Sequence, residues 1–203
     1  MLNKGLLFIL SAPAGAGKTT LVRELQKKHP LVKKTISHTT REKRTDEIDG
    51  IDYHFVSDQK FEEMEKNGEF LEQVSLFRAR YATSKKEIEE IVSKGMHAIL
   101  VIDTKGFFLL KEKNVKMISI FITPPSIQEL DERLSLRASE SQEQKKERLE
   151  EAHYELSQAP YYDYIVENDT LEHAVEVLHS IVVAEEHKNS TEERVEYDRT
   201  VSL

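Results

Sequence analysis

Residues 6–21 read LLFILSAPAGAGKTTL: an apolar run, then seven small or turn-forming residues, then Lys-Thr-Thr opening a helical pattern. No other feature limits so sharply what this chain can become. A strand that runs into a loop almost without side chains leaves backbone N–H groups free to turn inward, and such a ring of donors suits phosphate oxygens. The loop follows G-x-x-x-x-G-K-[ST], with Ala12 where the first glycine is usual. Ala12, Pro13, Ala14 and Ala16 keep the lining small, while Gly15 and Gly17 permit the turn. Lys18 offers a cation to the β- and γ-phosphates, and Thr19, followed by Thr20, offers a hydroxyl to Mg²⁺. The helix that starts there adds the positive end of its dipole. A nucleoside triphosphate carrying Mg²⁺ is therefore the expected ligand of residues 12–20.

Around the loop, strand and helix patterns alternate. Leu6–Leu10 reads as a buried strand, and Thr19–Lys28 as a helix with apolar Leu21, Val22 and Leu25 that His29-Pro30 ends. Asp49–Ser57 follows a turn signal and alternates like a strand. Ser57–Asn67 reads as a short helix capped by Ser57 or Asp58, and Ser84–Lys94 as a second. HAILVID (97–103) and KMISIFIT (116–123) are continuous apolar runs, as in parallel strands covered on both faces. Residues 126–156 are helical and charged, with a polar stretch at 138–146. YDYIVEND is a last strand and Leu171–Val183 a closing helix. The fold class is α/β: three layers around a parallel sheet. Asp103, at the end of its strand, is the second candidate for holding Mg²⁺.

Composition narrows the partners. The chain has 203 residues, enough for one domain with a substantial core, and no cysteine, which excludes disulfides and thiolate metal sites. A formal charge of −8 argues against nucleic-acid polymers and anionic membranes. The apolar runs are too short to span a bilayer, and Met1–Leu10 lacks the features of a leader, so a cytoplasmic setting is expected. Yet Lys33–Arg44, KKTISHTTREKR, holds five Lys or Arg in twelve positions. A local positive patch on an acidic chain suits a small anion.

That patch opens SHTTREKRTDEIDGIDYHFVS, which resembles the acceptor-binding segment of the guanylate kinases, S-x-T-T-R-x-x-R-x-x-E-x-x-G-x-x-Y-x-F-V-S. The resemblance continues through NGEFLE, ARYATS, ILVIDTKG, TPPSIQEL, the following arginines and VENDTLEHA, covering about Leu6 to Val183. It implies that Ser37, Arg41, Arg44, Tyr53, Glu72, Tyr81 and Thr83 bind GMP. The chemistry agrees. Arg41 and Arg44 carry guanidinium forks suited to a monophosphate, and Tyr53 and Tyr81 can donate phenol protons to it. Guanine presents two donors that a carboxylate, Glu72, can accept; Ser37 assists at N2 and Thr83 donates to O6. Adenine reverses these donors and acceptors, so such a site can discriminate by about 10⁴–10⁵. Two departures matter for this site: Val101 stands where an acid is usual, in LVID, and Thr83 where serine is usual.

The resemblance also implies a mobile lid whose arginines meet the transferring phosphoryl group. Arg133 and Arg137 share a helix face four residues apart, and Arg148 lies beyond the polar stretch. Ala138 follows Arg137 where glycine is usual. Asn168, in VENDT, matches a position near the adenine of ATP. The expected organisation is a core of residues 1–34, 98–130 and 149–185, a GMP-binding subdomain over 35–97, a lid over 131–148 and a mobile tail over 186–203. The expected reaction is ATP + GMP giving ADP + GDP, with dGMP also accepted and Lys18, Arg133, Arg137 and Arg148 as the catalytic set; monomer and homodimer stay open. A kinase for another acceptor would have no reason to keep Glu72, Ser37 and Thr83 together. A phosphopeptide-binding module would have a degraded loop, and a regulatory GTPase would carry an N-K-x-D motif, which is absent.

Overall fold

The computed structural model of the chain describes residues 5–76, 79–135 and 142–188, with side chains described outside 132–149. Nine strands form two sheets among these residues. The larger is parallel, in the order β2 (Val32–Lys34), β7 (His97–Val101), β1 (Leu7–Ser11), β8 (Ile118–Thr123), β9 (Tyr164–Glu167). Period-two alternation along β1 divides its side chains between two cores. Phe8 and Leu10 pack with Leu21, Val22 and Leu25 of α1 (Lys18–Lys28) and Leu178 and Val182 of α7 (Leu171–Glu186). Ile9 faces the other way, toward Ile88 of α3 (Lys85–Ser93) and Phe107 and Leu110 of α4 (Thr104–Glu112). These are the three expected layers.

The strand order decides where a ligand can sit. β1 has β7 on one side and β8 on the other, so the chain leaves β1 at a point where the order reverses direction. In open α/β sheets that crevice, beyond the carboxyl ends of the strands, is where ligands bind. The loop after β1 and Asp103 after β7 both open there.

The second sheet, β4 (His54–Phe55), β3 (His38–Thr39), β6 (Ala79–Ser84), β5 (Phe70–Leu76), is inserted between β2 and α3. Its outer face packs Phe70 and Ala82 on Phe61 and Met64 of α2 (Asp58–Lys66), a helix capped by the Ser57 hydroxyl. Its β5 edge lies against α4 of the core, where Lys113 Nζ donates to Leu71 O at 2.8 Å.

Several local expectations change. The strand expected over 49–57 shrinks to two residues, because Asp52 accepts from Ile48 N and Asp49 from Phe55 N, folding 48–53 into a turn with Gly50 at φ 76°. Helix α4 and the β5–β6 pair were not expected. The subdomain boundary at 97 falls inside the core: Ile88 packs on Ala98 and Leu100, and His97 opens β7, so by packing the insertion ends at Ser84. The closing helix runs to Glu186, which His97 and His29 both meet, so that residue belongs to α7 and not to a tail. Residues 189–203 lie outside the described residues. The expected lid spans the end of α5 (Ile127–Ser135), residues 136–141, which lie outside the described residues, and the start of α6 (Gln142–Ser157).

Candidate active site

The phosphate loop is held from three sides. Ala16 N donates to Pro13 O at 3.2 Å, closing the turn. Gly15 (φ 85°) and Gly17 (φ 90°) take left-handed conformations that other residues adopt only with strain. Gly17 is also the N-cap of α1 and supplies no capping side chain, so the first N–H groups of that helix remain available to an anion. Lys18 Nζ reaches back across the loop to Ala12 O at 2.5 Å and Pro13 O at 3.1 Å. Thr19 is exposed on the first turn of α1. Buried Asn168, just past β9, donates its amide to Ala16 O at 2.8 Å. A Cβ on Gly17 would lie 2.7 Å from that amide nitrogen, so the loop and Asn168 are fitted to one another.

A second cluster occupies the face of the inserted sheet opposite α2. The antiparallel register pairs Thr39 with Tyr81 and Glu72 with Thr83, and period-two spacing puts Tyr81 and Thr83 on one face while Ala82 points at α2. Ser37 directly precedes β3, and its O accepts from His54 N at 2.9 Å. Tyr53 and Tyr81 meet edge to face at 5.9 Å, and Arg41 lies 5.5 Å over the Tyr53 ring and 5.7 Å over Phe55. Arg41 donates to Glu42 O and, at 2.6 Å, to Glu47 Oε1. The other Glu47 oxygen accepts from Arg44 N at 2.9 Å, so one carboxylate ties both arginine positions together. The Glu47 bond holds the Arg41 guanidinium still more firmly protonated, and burial, then the neighbouring Tyr81, pushes the Tyr53 phenol up.

Between the clusters stands Glu72, 3% exposed. A register shift between Phe70 and Glu72 re-aims its side chain. Glu72 Oε1 accepts from the Thr83 hydroxyl at 2.6 Å, and Oε2 has no hydrogen-bond partner among the described residues. Burial pushes its carboxyl up to about 7; Thr83 and Lys113 pull the other way and Asp103 adds to the push. Asp103 caps α4 through Gly106 N at 2.7 Å. Burial raises its carboxyl too, against the pull of that N–H and of Lys105 and Lys18.

The arrangement combines a glycine loop opening onto a helix N-terminus, a basic, tyrosine-lined cluster on the inserted sheet, and a buried carboxylate paired with Thr83. The guanylate kinase family matches residues 4–185 of the chain. This chain belongs to that family. The guanylate kinase of Chlamydia trachomatis serovar D is 50% identical over 185 residues, 91% of this chain and 90% of its own length. That of Protochlamydia amoebophila is 47% identical over 188 residues, 93% and 95% of the two chains. The crystal structure of guanylate kinase from Anaplasma phagocytophilum matches with a TM-score of 0.76 at 32% identity, covering 92% of this chain and 89% of that one.

Within this guanylate kinase fold, the structure brings Arg41, Tyr53 and Tyr81 into one cluster, with Arg44 joined to it through Glu47, and Glu72 and Thr83 into a bonded pair. Asn168 faces the loop backbone through its amide, a contact that spacing alone does not reveal. Arg133 and Arg148 lie on α5 and α6 in the range whose side chains are not described, and Arg137 lies outside the described residues. The sequence reading passed over Glu47, although it is the glutamate of the quoted motif, and Glu155 of α6. Burial raises the Glu155 carboxyl to about 7, against the opposing charge of Lys18. Its only signal in the sequence was an acid on a long charged helix.

Proposed function

We propose that the chain transfers the γ-phosphoryl group of ATP to GMP, giving ADP and GDP, and accepts dGMP as well. The observation that carries this is the Glu72–Thr83 pair: a buried carboxylate with one oxygen taken by a hydroxyl and the other unpartnered among the described residues. Guanine N1–H and N2–H₂ supply the donors such an oxygen lacks, and adenine does not. Leaving a buried acceptor unpaired costs about 1–3 kcal/mol, which favours guanine at this position.

In this reading Arg41 and Arg44 bind the GMP phosphate, with Tyr53 and Tyr81 donating to it. Arg41 spends two donors on Glu42 and Glu47 and retains the rest of its fork for the phosphate. Ser37 meets the base beside Thr83. Lys18, the loop N–H groups and the open end of α1 hold the β- and γ-phosphates of ATP, and Asn168 keeps the loop in shape close to the adenine. The lid arginines Arg133, Arg137 and Arg148 gather charge on the group in transfer. The attacking oxygen is already ionised near neutral pH, so alignment and charge neutralisation carry most of the catalysis and no strong base is required. Closure of the acceptor sheet and lid keeps water out.

Thr19 and Asp103 are oxygen donors of the kind Mg²⁺ takes, and a half-buried carboxylate beside Lys18 suits a cation. They would hold Mg²⁺ with the nucleotide, and the ion would screen the phosphate charges. The protein works in the cytoplasm, as a monomer or homodimer, with nucleotides and no membrane or nucleic acid as partners.

ADP release measured with ATP and Mg²⁺ against GMP, dGMP, AMP, UMP and CMP tests the proposal. Turnover with GMP, and more slowly with dGMP, is expected. Equal turnover with AMP would refute the assigned role of Glu72.

A further inference from the structure

Gly106 lies in the first turn of α4, inside the helix, where glycine is less stable than alanine. Its φ is not left-handed, so the backbone does not demand glycine there. The reason lies in its neighbours. A Cβ at this position would meet Glu72 Oε2 at 3.2 Å, Asp103 Oδ1 at 3.3 Å and Ile102 Cδ1 at 3.4 Å. The two oxygen distances are tighter than most real Cβ contacts, while the Ile102 carbon sits at the edge of ordinary contact. Two of the three atoms are carboxylate oxygens from different elements.

Neither carboxylate can retreat freely. Glu72 is tied on its far side to the Thr83 hydroxyl, and Asp103 is tied to Gly106 N itself as the cap of α4. A methyl at 106 would therefore turn Glu72 away from Thr83 or tilt the first turn of α4. It would also press an apolar group on an oxygen that has no hydrogen-bond partner among the described residues.

We propose that Gly106 is a specificity-determining position of the acceptor site: its missing side chain leaves the space that keeps the Glu72 carboxylate aligned for the purine edge of the acceptor. The inference rests on the guanine-reading role of Glu72 given above. Gly106 acts through Glu72 and Asp103 and is a positioning residue; it need not touch the substrate.

The test is a mutant cycle of G106A and E72Q, read by calorimetric titration with GMP, titration with ADP, thermal unfolding and turnover with GMP and AMP. G106A is expected to weaken GMP binding at least tenfold and to lower the GMP-over-AMP preference. ADP affinity should stay within twofold and the unfolding midpoint should fall by only a few degrees, since alanine's preference for the helix offsets part of the crowding. In the E72Q background, adding G106A should cost less than twofold in GMP affinity. Unchanged GMP affinity in G106A overturns the inference. So does a tenfold loss that persists undiminished beside E72Q, or a lost unfolding transition, because the crowded atoms belong to side chains that could then not be yielding. If the unmodified protein shows no GMP-dependent ADP release while G106A still folds, the guanylate reading itself falls and takes this inference with it.

Discussion

The Glu72 carboxylate accepts the Thr83 hydroxyl proton at 2.6 Å through one oxygen and keeps the other buried without a partner among the described residues. That asymmetry sets a pH dependence. The folded-state value, about 7, lies above the ordinary 4.5, so the stabilisation linked to this group is complete below pH 4.5 and is lost as pH rises through 7. The loss amounts to at most about 3 kcal/mol. GMP binding has the opposite preference, because guanine needs the ionised acceptor. Its affinity should rise roughly tenfold per unit from pH 5.5 to 7 and level off above. The charges facing the group are Asp103 from β7–α4 and Lys113 from the end of α4. E72Q should be more stable than the unmodified protein at pH 8, bind GMP about 10²-fold more weakly, and lose the dependence. GMP's own phosphate titrates nearby, so the difference between the two profiles is the quantity to measure.

Glu47 joins Arg41 at 2.6 Å to the backbone N–H of Arg44 at 2.9 Å. The pair is mostly shielded from solvent, and charge-assisted bonds of this kind fix a guanidinium's plane as well as its place. E47Q should raise the KM for GMP about five- to tenfold, leave kcat within twofold and leave the KM for ATP unchanged. E47D should recover part of the loss. A fall in kcat at saturating GMP would show that the carboxylate acts on the transition state and not through Arg41.

What the sequence made legible was what depends on local spacing. The phosphate loop, the strand before it and the helix after it are contiguous, and their chemistry follows from residues 6–21 alone. The cluster of Arg41, Arg44 and Tyr53 was legible as motif letters, since the three lie within one short segment. The neighbours that matter to Glu72 were not legible. Gly106 and Asp103 reach it only because α4 of the core packs against β5 of the insertion, a contact over thirty residues apart in sequence. Helix α4 itself was hidden because TKGFFLLKE carries a glycine and two adjacent phenylalanines and reads as an extension of the strand before it. The β5–β6 pair was hidden because no Gly, Pro or Asn marks a turn between Leu76 and Ala79.

The buried Asn168 amide holds Ala16 O at 2.8 Å and lies where a side chain on Gly17 would have to go. N168A removes a donor from a buried carbonyl and opens space beside the loop. It should cost about 1–2 kcal/mol in stability and raise the KM for ATP several-fold with the KM for GMP unchanged. G17A meets both the amide and a strained φ, and should abolish ATP binding in titration while retaining GMP binding. Equal weakening toward both nucleotides in either variant would mean that the damage spreads beyond the loop.

At the opposite end of β7 from Asp103, His97 is locked by two bonds. Its Nδ1 accepts from Leu6 N at 3.0 Å, so the proton sits on Nε2, which donates to Glu186 at 2.6 Å. The imidazole thus joins the start of β1 to the end of α7, with His29 3.4 Å from the same carboxylate. Six residue steps of nearly extended chain separate His97 from Asp103, about 20 Å. H97A leaves a partly buried N–H and a shielded carboxylate without their partner and should cost about 1–2 kcal/mol. Because the break lies across the sheet from the nucleotides, kcat and both KM values should stay within twofold at 25 °C while the unfolding midpoint falls by several degrees. H97Q, able to donate to Glu186 but not to accept from Leu6 in the same geometry, should fall between the two. If H97A instead shifts the KM for ATP, β1 transmits strain from its amino end to the phosphate loop, and the two ends of the sheet are coupled.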